Sequence, residues 1–351
     1  MISNSFWLET CLWAICRLAR EYYAAGSLTL AHQTYQQALK LVPDRSDPPG
    51  LGLAYLGLGQ LAYEWNDLTL ASRYLNDALS FPSDDIRIET QLALAWVKIA
   101  GQHPSGAFDH LKKAEELAPP DLKTQCAAFR VLIALRQDDY SIGTDWFDTV
   151  ELKNASAIEF LTYIKMLLVR GEAEEVLDLL DAQLGVAEEN NHLVYQLKLM
   201  LLQAETFHVF GETAQAVSIL SRVLEMTESE GFIRLFTDTG PPLTDLLKGV
   251  LTTRSPVSAM YANKLLDALN NRTLSTPPAI STQPLSDSLT DRELEVLQLL
   301  AAGYSNQDIA QILIVSPGTV KTHVKSIYHK MSVHSRTQAA ARARILGLIQ
   351  N

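Results

Sequence analysis

Residues 289–350 read LTDRELEVLQLLAAGYSNQDIAQILIVSPGTVKTHVKSIYHKMSVHSRTQAAARARILGLIQ. Capping residues divide this stretch into four short helices, because a side-chain oxygen at a helix start accepts a hydrogen bond from an otherwise unpaired backbone N–H. The four helix starts are Thr290 with Glu293 (a capping box), Ser305 with Asp308, Ser316 with Pro317, and Ser335. Short helices joined by tight turns predict a compact helix-turn-helix domain, which we call the head (residues 289–351).

The third of these helices, residues 317–331, has an apolar edge and a basic face. At 100° per residue, its apolar side chains fall within an arc of about 60°: Val320, Val324, Ile327 and Met331. The opposite side carries Gly318, Lys321, Thr322, Lys325 and His329, without any carboxylate between Ser316 and Met331. Lysine and threonine suit base edges and phosphates. The pattern predicts a helix that enters the DNA major groove; a plain solvated face is the alternative.

The head also matches a family pattern. The head closely resembles the LuxR-type helix-turn-helix domain. The runs that carry the resemblance are S-N-x-x-I-A-x-x-L (305–313), S-x-x-T-V-K-x-H-V (316–324), I-Y-x-K-M (327–331) and S-R-x-Q-A (335–339). The resemblance implies double-stranded DNA as a partner, with Lys321, Thr322 and Lys325 at base edges or nearby phosphates. It further implies that Asn306, Thr319 and Arg336 hold the DNA backbone. In this family the fourth helix supports pairing of two heads, so a homodimer or higher oligomer is expected on DNA.

Two positions in the head qualify this resemblance. Gly318 stands where relatives often carry a larger side chain, so one potential DNA contact is missing. Arg336 has an alternative role, in a structural salt bridge rather than at a phosphate.

Upstream of the head, small and large apolar residues recur with the spacing of tetratricopeptide (TPR) repeats. The recurring sets are Ala31, Tyr35, Ala38 and Pro43; Ala107, Leu111, Ala114 and Pro119; nearly the same spacing at Ala71, Leu75 and Ala78, with Pro82 one residue early; and a degraded copy at Ala216, Leu220 and Val223. Small alanines let paired helices approach closely, and the larger residue fills the groove between them. Turns are predicted at Asp138-Asp139, Gly171 and Gly211. The alternative is an irregular helical bundle.

These patterns divide the chain into three parts and predict an all-α fold. Residues 1–269, which we call the body, form a TPR-like helical-repeat superhelix, residues 270–288 a Pro/Ser/Thr-rich linker, and residues 289–351 the four-helix head. The body with its segment GFIRLFTDTGPPLTDLL (231–247) resembles the C-terminal half of MalT-like regulators. Those proteins carry a nucleotide-binding domain ahead of their repeats, but no G-x-x-x-x-G-K-[ST] occurs here. Two interpretations stay open: the chain is a fragment of a larger protein, or it is a short relative that lost the nucleotide-binding domain. The resemblance does not extend ATP regulation to the residues of this chain.

The head and the rest of the chain differ in charge. Residues 289–351 hold seven Lys/Arg and four Asp/Glu, a net charge of +3, whereas the other residues hold 22 and 36, a net charge of −14. DNA attracts the basic head and repels the acidic body, so contact with DNA should be confined to the head.

Nothing in the sequence predicts a membrane span or an enzyme. The most apolar stretch, residues 6–19, is interrupted by Glu9 and Arg17, and we interpret it as a packed helix. Three cysteines without a C-x-x-C pair indicate reduced thiols in a cytoplasmic protein. The eight histidines lack metal-ligand spacing and no catalytic set is recognisable. We therefore predict no enzyme activity, no cofactor and no metal site.

Together these features predict a DNA-binding transcription regulator. We expect the body to sense a small-molecule inducer or a protein partner and to control oligomerisation, which raises the effective concentration of a second head on DNA. One alternative is a TPR-like protein-interaction scaffold with a vestigial head. Another is a phosphorylation-gated response regulator, which the helical pattern of the body disfavours. The body's aromatic residues are expected in the repeat core rather than in a pocket: Trp7, Trp13, Tyr55, Trp65, Tyr74 and Trp96.

Overall fold

A computed structural model describes most of the chain. The described residues are 4–42, 50–136, 139, 141–172, 174–240, 242–252, 256–270, 289–301, 304, 306–330, 339, 343 and 348. Contacts within the chain group into two compact units, Met1–Pro277 and Pro278–Asn351. The described residues contain α-helices, short 3-10 helices and no strand, so the all-α prediction is confirmed. The predicted linker lies outside the described residues from 271 onward.

The helices follow one another with short connections. Those of the first unit are α1 (Asn4–Ala24), α2 (Leu28–Lys40), α3 (Gly50–Glu64), α4 (Leu68–Leu79), α5 (Asp84–Ala100), α6 (Pro104–Leu117), α7 (Pro120–Leu135), α8 (Thr144–Thr149), α9 (Ala157–Arg170), α10 (Glu174–Glu189), α11 (Leu193–Val209), α12 (Thr213–Thr227), α13 (Arg234–Thr237), α14 (Pro242–Thr252) and α15 (Pro256–Asn270). Those of the second unit are α16 (Asp291–Ala301), α17 (Asn306–Ile312) and α18 (Pro317–Lys330).

The predicted repeat signature lies on α2, α4, α6 and α12, where it packs against a neighbouring helix. Its alanines and larger residues are all buried: Ala31, Tyr35, Ala38, Ala71, Leu75, Ala78, Ala107, Leu111, Ala114, Ala216, Leu220 and Val223. A Cβ added to Gly57 of α3 would lie 2.1 Å from Cζ of Tyr35. The larger residue of the signature thus occupies space that a glycine leaves on the facing helix, as the repeat interpretation requires. The repeat prediction is confirmed, although Pro43 lies outside the described residues.

Left-handed turns separate the helices of several pairs. Gly171 follows α9 with a φ of +78°, and Gly211 follows α11 with a φ of +81°. Glycine takes this conformation without the steric penalty of a side chain, which is why it marks helix ends in a sequence. The two glycine turns predicted from the sequence are therefore confirmed, whereas Asp138 lies outside the described residues.

The two ends of the repeat array meet. A Cβ on Gly26, after α1, would lie 2.8 Å from Cδ2 of Leu193 at the start of α11. The carboxylate of Glu230 accepts hydrogen bonds from the N–H and hydroxyl of Thr29 at 2.8 and 2.9 Å, and its carbonyl accepts one from Nε1 of Trp65 at 3.0 Å. Successive helices pack on one another from α1 to α7 and from α9 to α12, α7 packs on α9, and α1 packs on α11, so the array closes on itself.

Candidate nucleic-acid interface

The head is built around a small apolar core to which α16, α17 and α18 contribute. Its buried residues are Val296, Leu297 and Leu300 of α16, Ile309 and Ala310 of α17, Val320 and Ile327 of α18, and Ala339 and Ala343. Both Val320 and Ile327 have 0% exposure, so the predicted apolar edge of α18 packs inward. Met331 lies outside the described residues, as does most of the predicted fourth helix.

Two of the predicted caps are present. The carboxylate of Glu293 accepts from the N–H of Thr290 at 2.8 Å, and the Thr290 hydroxyl accepts from the Glu293 N–H at 3.3 Å. The Ser316 hydroxyl accepts from the N–H of Thr319 at 3.1 Å and so opens α18. These bonds satisfy backbone groups that a helix start otherwise leaves unpaired. The cap predicted at Ser305 lies outside the described residues.

On the face of α18 opposite its buried edge, the described side chains and Gly318 are exposed. Gly318, Thr319 and Thr322 all lie there in contact with solvent. The hydroxyl of Thr322 donates to the carbonyl of Gly318 at 3.1 Å, and the hydroxyls of Ser316 and Thr319 are 2.8 Å apart. Thr319 and Thr322 are therefore accessible to a ligand, as their predicted role requires.

The other predicted site residues can be located only in part. The backbones of Lys321 and Lys325 belong to α18 and that of Asn306 begins α17, but their side chains lie outside the described residues. Arg336 lies wholly outside them. The six DNA contacts therefore stay predictions.

Glu293 has a second role that the sequence did not indicate. It is 4% exposed and accepts hydrogen bonds from Ser326 Oγ at 2.5 Å and Lys330 Nζ at 2.8 Å, both on α18. Burial by itself raises the pKa of Glu293, but hydrogen bonds from Lys330, Ser326 and Thr290 outweigh it and lower the pKa to about 2. One carboxylate thus caps α16 and attaches the far end of α18 to it.

The turn between α17 and α18 contains a strained residue, also without a signal in the sequence. Ile314 has a φ of +53° and is 91% exposed. A β-branched residue in this region of backbone space costs about 1–2 kcal/mol. Hydrogen bonds around it hold the turn: Val315 N–H donates to the Ala310 carbonyl at 3.0 Å, and Arg292 Nη2 donates to the Leu313 carbonyl at 2.7 Å.

Two protein families match this chain. Residues 4–253 match the family described as "MalT-like TPR region". The chain belongs to this family. Residues 287–343 match the family described as "Bacterial regulatory proteins, luxR family". The resemblances predicted for the body and for the head are therefore confirmed.

Curated relatives align with nearly the whole chain. The HTH-type transcriptional regulator MalT of Serratia proteamaculans is 23% identical over 367 residues, which cover 95% of this chain and 40% of the relative. Proteins of the same name from Klebsiella pneumoniae and Vibrio parahaemolyticus are 25% and 22% identical over 372 and 378 residues, covering 95% of this chain and 41% of each relative. The chain thus spans about two fifths of the length of these relatives.

The MalT-like TPR region encloses a second candidate site. Residues of α1, α3, α5, α7, α9 and α11 and the segment 234–239 line a cavity of about 940 Å³. Trp13 and Trp96 are among the lining residues, and Trp7 is 59% exposed, so the expectation that these tryptophans belong to the core was wrong. The reason is that an apolar residue of a repeat helix can face either the paired helix or the inner wall. Trp65, with 7% exposure, is buried as expected.

Buried polar groups hold the segment 234–239 against the inner wall. The carboxylate of Asp238 accepts from the Tyr63 hydroxyl at 2.8 Å, from Arg136 Nη1 at 3.1 Å and from Arg234. Burial by itself raises the pKa of Asp238, but the guanidinium groups of Arg234 and Arg136 outweigh it, and the pKa is lowered. The segment is therefore attached to both α3 and α7.

Glu64, the last residue of α3, binds the same part of the chain. Its Oε1 accepts from the Leu235 N–H at 2.6 Å, and its carbonyl accepts from the Ile233 N–H at 3.0 Å. Burial raises the pKa of Glu64 to about 7, although the hydrogen bond from Leu235 opposes this change. The carboxyl of Glu64 is therefore a weaker acid in the folded body than in the unfolded chain.

The described residues hold neither a metal-ligating cluster nor a membrane-spanning helix. In those ranges, no group of three or more His, Cys, Asp or Glu side chains is placed to hold a metal ion. No described helix is long and apolar enough to cross a membrane.

Proposed function

We propose that the chain is a DNA-binding transcription regulator whose head reads DNA and whose body responds to a small molecule or a protein partner. The observation that carries the proposal is the orientation of α18. Val320 and Ile327 are fully buried, while Gly318, Thr319 and Thr322 face solvent on the other side. A helix presented in this way fits the major groove. The match to luxR-family regulators and the names of the relatives support the same function.

Six residues of the head form the proposed DNA contacts. Lys321, Thr322 and Lys325 reach base edges or nearby phosphates, and Asn306, Thr319 and Arg336 hold the DNA backbone. The exposure of Thr319 and Thr322 supports their part in this set. Thr319 also lies in the first turn of α18, where the helix dipole favours a phosphate.

Substitution of the lysines tests this proposal. Duplexes selected from a random library by the full chain are titrated with the wild type, Lys321→Ala and Lys325→Ala. Each substitution should weaken specific binding by about 1–3 kcal/mol, or about 5- to 150-fold. Loss of a phosphate contact should also reduce the slope of log K against log salt by about one. Lys248→Ala, which removes an exposed lysine of α14, is the matched control and should change neither quantity.

The opposite results would favour the alternative function. A DNA affinity that is unchanged by Lys321→Ala and by Lys325→Ala, or that does not depend on salt, would contradict the proposal that the head recognises DNA. It would favour a protein-interaction scaffold whose head is vestigial.

We propose the cavity of the body as the sensor site. Trp96, one of its lining residues, has its ring 4.6 Å from Cζ of Arg136 and 5.9 Å from the ring of Phe129. A cavity of about 940 Å³ with aromatic walls and ten charged lining residues suits a small polar molecule. A library of small polar metabolites can be screened by tryptophan fluorescence of the full chain. A binder should change the signal, Trp96→Phe should reduce the change, and Trp146→Phe should not.

A screen without any small-molecule response would contradict this part of the proposal. It would leave the protein partner as the stimulus to which the body responds.

We further propose that residues 270–288 form a flexible linker between a body (1–269) and a head (289–351), and that two heads pair on DNA in the bacterial cytoplasm. The division of contacts between Pro277 and Pro278 supports a boundary within the linker. Sedimentation of the chain with duplexes carrying one or two half-sites about 10 base pairs apart tests the pairing. Two chains on the longer site, bound more tightly than one, are expected; one chain per two-site duplex would contradict it.

A further inference from the structure

Four cationic side chains line one wall of the cavity in the body. They are Arg136 of α7, Lys165 of α9, Lys198 of α11 and Arg234 of α13, and we call them the basic wall. Lys165 Nζ donates to the carbonyl of Thr239 at 3.0 Å. Arg136 and Arg234 both donate to the carboxylate of Asp238. Lys198 lies on the helix that supplies Glu205, the ion-pair partner of Lys165.

Carboxylates neutralise only part of the basic wall. Of the described residues that line the cavity on α7, α9, α11 and the segment 234–239, Asp238 is the one carboxylate. Glu205 of α11 adds a second, because it pairs with Lys165. Glu64 of α3, which binds the same segment through its Oε1, adds a third when it is ionised. Four cations against three carboxylates leave a net charge of +1, or +2 when Glu64 is protonated.

Lys198 carries the positive charge that is left over. The other three cations each form an ion pair. Glu64 attracts Lys198, but no described carboxylate lies within ion-pair distance of the Lys198 ammonium. Lys198 is exposed and lines the cavity, so a small molecule can reach it. An anion beside Lys198 would gain charge-assisted hydrogen bonds where the described protein groups supply no acceptor.

The other lining carboxylates do not take the place of this anion. Glu89 of α5 already pairs with Arg20 of α1 at 3.2 Å. Glu21 of α1 and Asp85 of α5 are exposed, and in the described part of the chain neither forms an ion pair with the basic wall. The positive excess is therefore local to the basic wall, although the charges of the ten charged lining residues sum to zero.

An apolar surface adjoins the basic wall. The guanidinium of Arg136 lies 4.6 Å from the centroid of the Trp96 ring, and that ring meets Phe129 edge to face at 5.9 Å. Half-buried apolar side chains of α5, α7 and α9 also line the cavity: Leu92, Leu122, Ile158 and Leu161. A ligand that contacts both Lys198 and Trp96 therefore needs one anionic and one apolar group.

We propose that the cavity is specific for a small carboxylic acid with an apolar or aromatic group. Its carboxylate binds Lys198, and its apolar group packs on the ring of Trp96. The inference rests on the proposed function, because it requires the cavity to be the sensor site. It names the class of the stimulus: a molecule small enough for about 940 Å³ that supplies the negative charge which the basic wall lacks.

Pairs of carboxylic acids and their primary amides test the proposal, because each amide keeps the shape of the acid and removes its charge. A library of aromatic and aliphatic acids, with the amide of each and with neutral and cationic metabolites, is titrated into the full chain by calorimetry. The acids that bind should bind at least about tenfold more tightly than their amides, the value expected for a hydrogen bond to a charged group. Higher salt should reduce this preference, since it screens the attraction between the charges.

Substitution at Lys198 locates the anion. Lys198→Met keeps the apolar stem and removes the charge, so the acid should bind about tenfold more weakly, while the affinity for the amide should not change. Lys198→Arg keeps the charge and should retain the preference for the acid. Lys123→Met, at an exposed lysine of α7 that does not line the cavity, is the matched control and should bind as the wild type does. The urea transition of tryptophan fluorescence checks that each variant folds.

The proposal is overturned if the acids bind no more tightly than their amides, or if Lys198→Met leaves the affinity for the acid unchanged. Binding of neutral or cationic metabolites without any acid would overturn it as well, but would leave the sensor site itself in place. A library without any binder would instead contradict the sensor site, and this inference with it.

Discussion

Replacement of Glu293 by glutamine should loosen α18 from the rest of the head. Glu293 is 4% exposed and accepts from Thr290, Ser326 and Lys330. A glutamine keeps the size of the side chain but loses its charge and one of its two acceptor oxygens. Lys330 then faces an uncharged partner, and one donor from α18 or from Thr290 loses its acceptor.

The expected cost is about 2–3 kcal/mol. A pKa lowered from 4.5 to about 2 corresponds to roughly 3 kcal/mol of preference for the charged form in the folded head. Breaking a buried ion pair by removing one partner costs about 3–5 kcal/mol. The side chain of Lys330 is 21% exposed, so water screens part of the attraction and the lower end applies. Domains of about 60 residues have only roughly 3–9 kcal/mol of stability in total.

The assay follows both units of the full chain in one sample. All five tryptophans lie between residues 7 and 146, so fluorescence during urea unfolding reports on the body alone. Hydrogen exchange of peptides from α16 and α18 reports on the head. Glu293→Gln should accelerate exchange there by roughly 30- to 150-fold, the factor that corresponds to 2–3 kcal/mol, and leave the tryptophan transition unchanged.

A neighbouring carboxylate supplies the control. Glu295 is exposed, and its ion pair among the described residues is a local one with Arg292, at 2.6 Å, so Glu295→Gln should change stability by less than about 0.5 kcal/mol. The wild-type head should also lose protection as the pH falls from about 4.5 to 2, because a lowered pKa gives stability that is present above the ordinary value and lost on protonation. Exchange rates of Glu293→Gln that match those of Glu295→Gln would refute the reasoning.

Three further predictions concern the backbone and one buried acid. Gly171→Ala should destabilise the body by about 1 kcal/mol, because Gly171 has a φ of +78°. Gly185→Ala inside α10 should stabilise the body by about 0.5–1 kcal/mol, because a Cβ there meets nothing within 4 Å. Urea unfolding followed by tryptophan fluorescence compares the two variants. The pKa of Glu64, raised to about 7, predicts that the body loses roughly 2–3 kcal/mol of stability as the pH rises from about 4.5 to 7, since this carboxyl is protonated when folded and ionised when unfolded. A pH dependence in Glu64→Gln equal to that of the wild type would contradict this assignment. Ile314→Gly should stabilise the head by about 1 kcal/mol by relieving the strain at a φ of +53°, and slower exchange in α16 and α18 is the measurement; unchanged or faster exchange would show that the strain is absent.

The features predictable from the sequence are those determined within one or two helices. The alanine signature, the caps at Thr290 and Ser316 and the turns at Gly171 and Gly211 each depend on residues a few positions apart. Their physical causes, close helix approach, unpaired N–H groups and positive φ, act locally. Such features can be inferred before any tertiary contact is known.

The features that could not be predicted join residues distant in sequence. Glu293 meets Lys330 across 37 residues, Asp238 meets Arg136 across 102, and Leu235 meets Glu64 across 171. A capping glutamate has the same spacing whether or not a distant helix supplies further donors. Likewise the ring of Trp96 fits the repeat pattern equally well in the core and on the cavity wall, so its position there required the fold.

Polar groups take part in the closure of the superhelix, beside the apolar core that joins α1, α2 and α3 with α11 and α12, because the chain is irregular at that point. Between α12 and α14 the backbone N–H groups of Ile233 and Leu235 have acceptors on Glu64, and buried N–H groups without partners would be costly. The same stretch reaches the cavity wall at Arg234 and Asp238 and leads directly into α14. A molecule in the cavity that competes for these hydrogen bonds would therefore bind the closed and the opened junction with different affinities. A ligand shifts a conformational equilibrium only when its affinities for the two states differ. The aromatic wall can supply affinity, and it touches the polar junction through Arg136, whose guanidinium lies 4.6 Å from the ring of Trp96 and donates to Asp238. A ligand on that wall can therefore act on the junction as well.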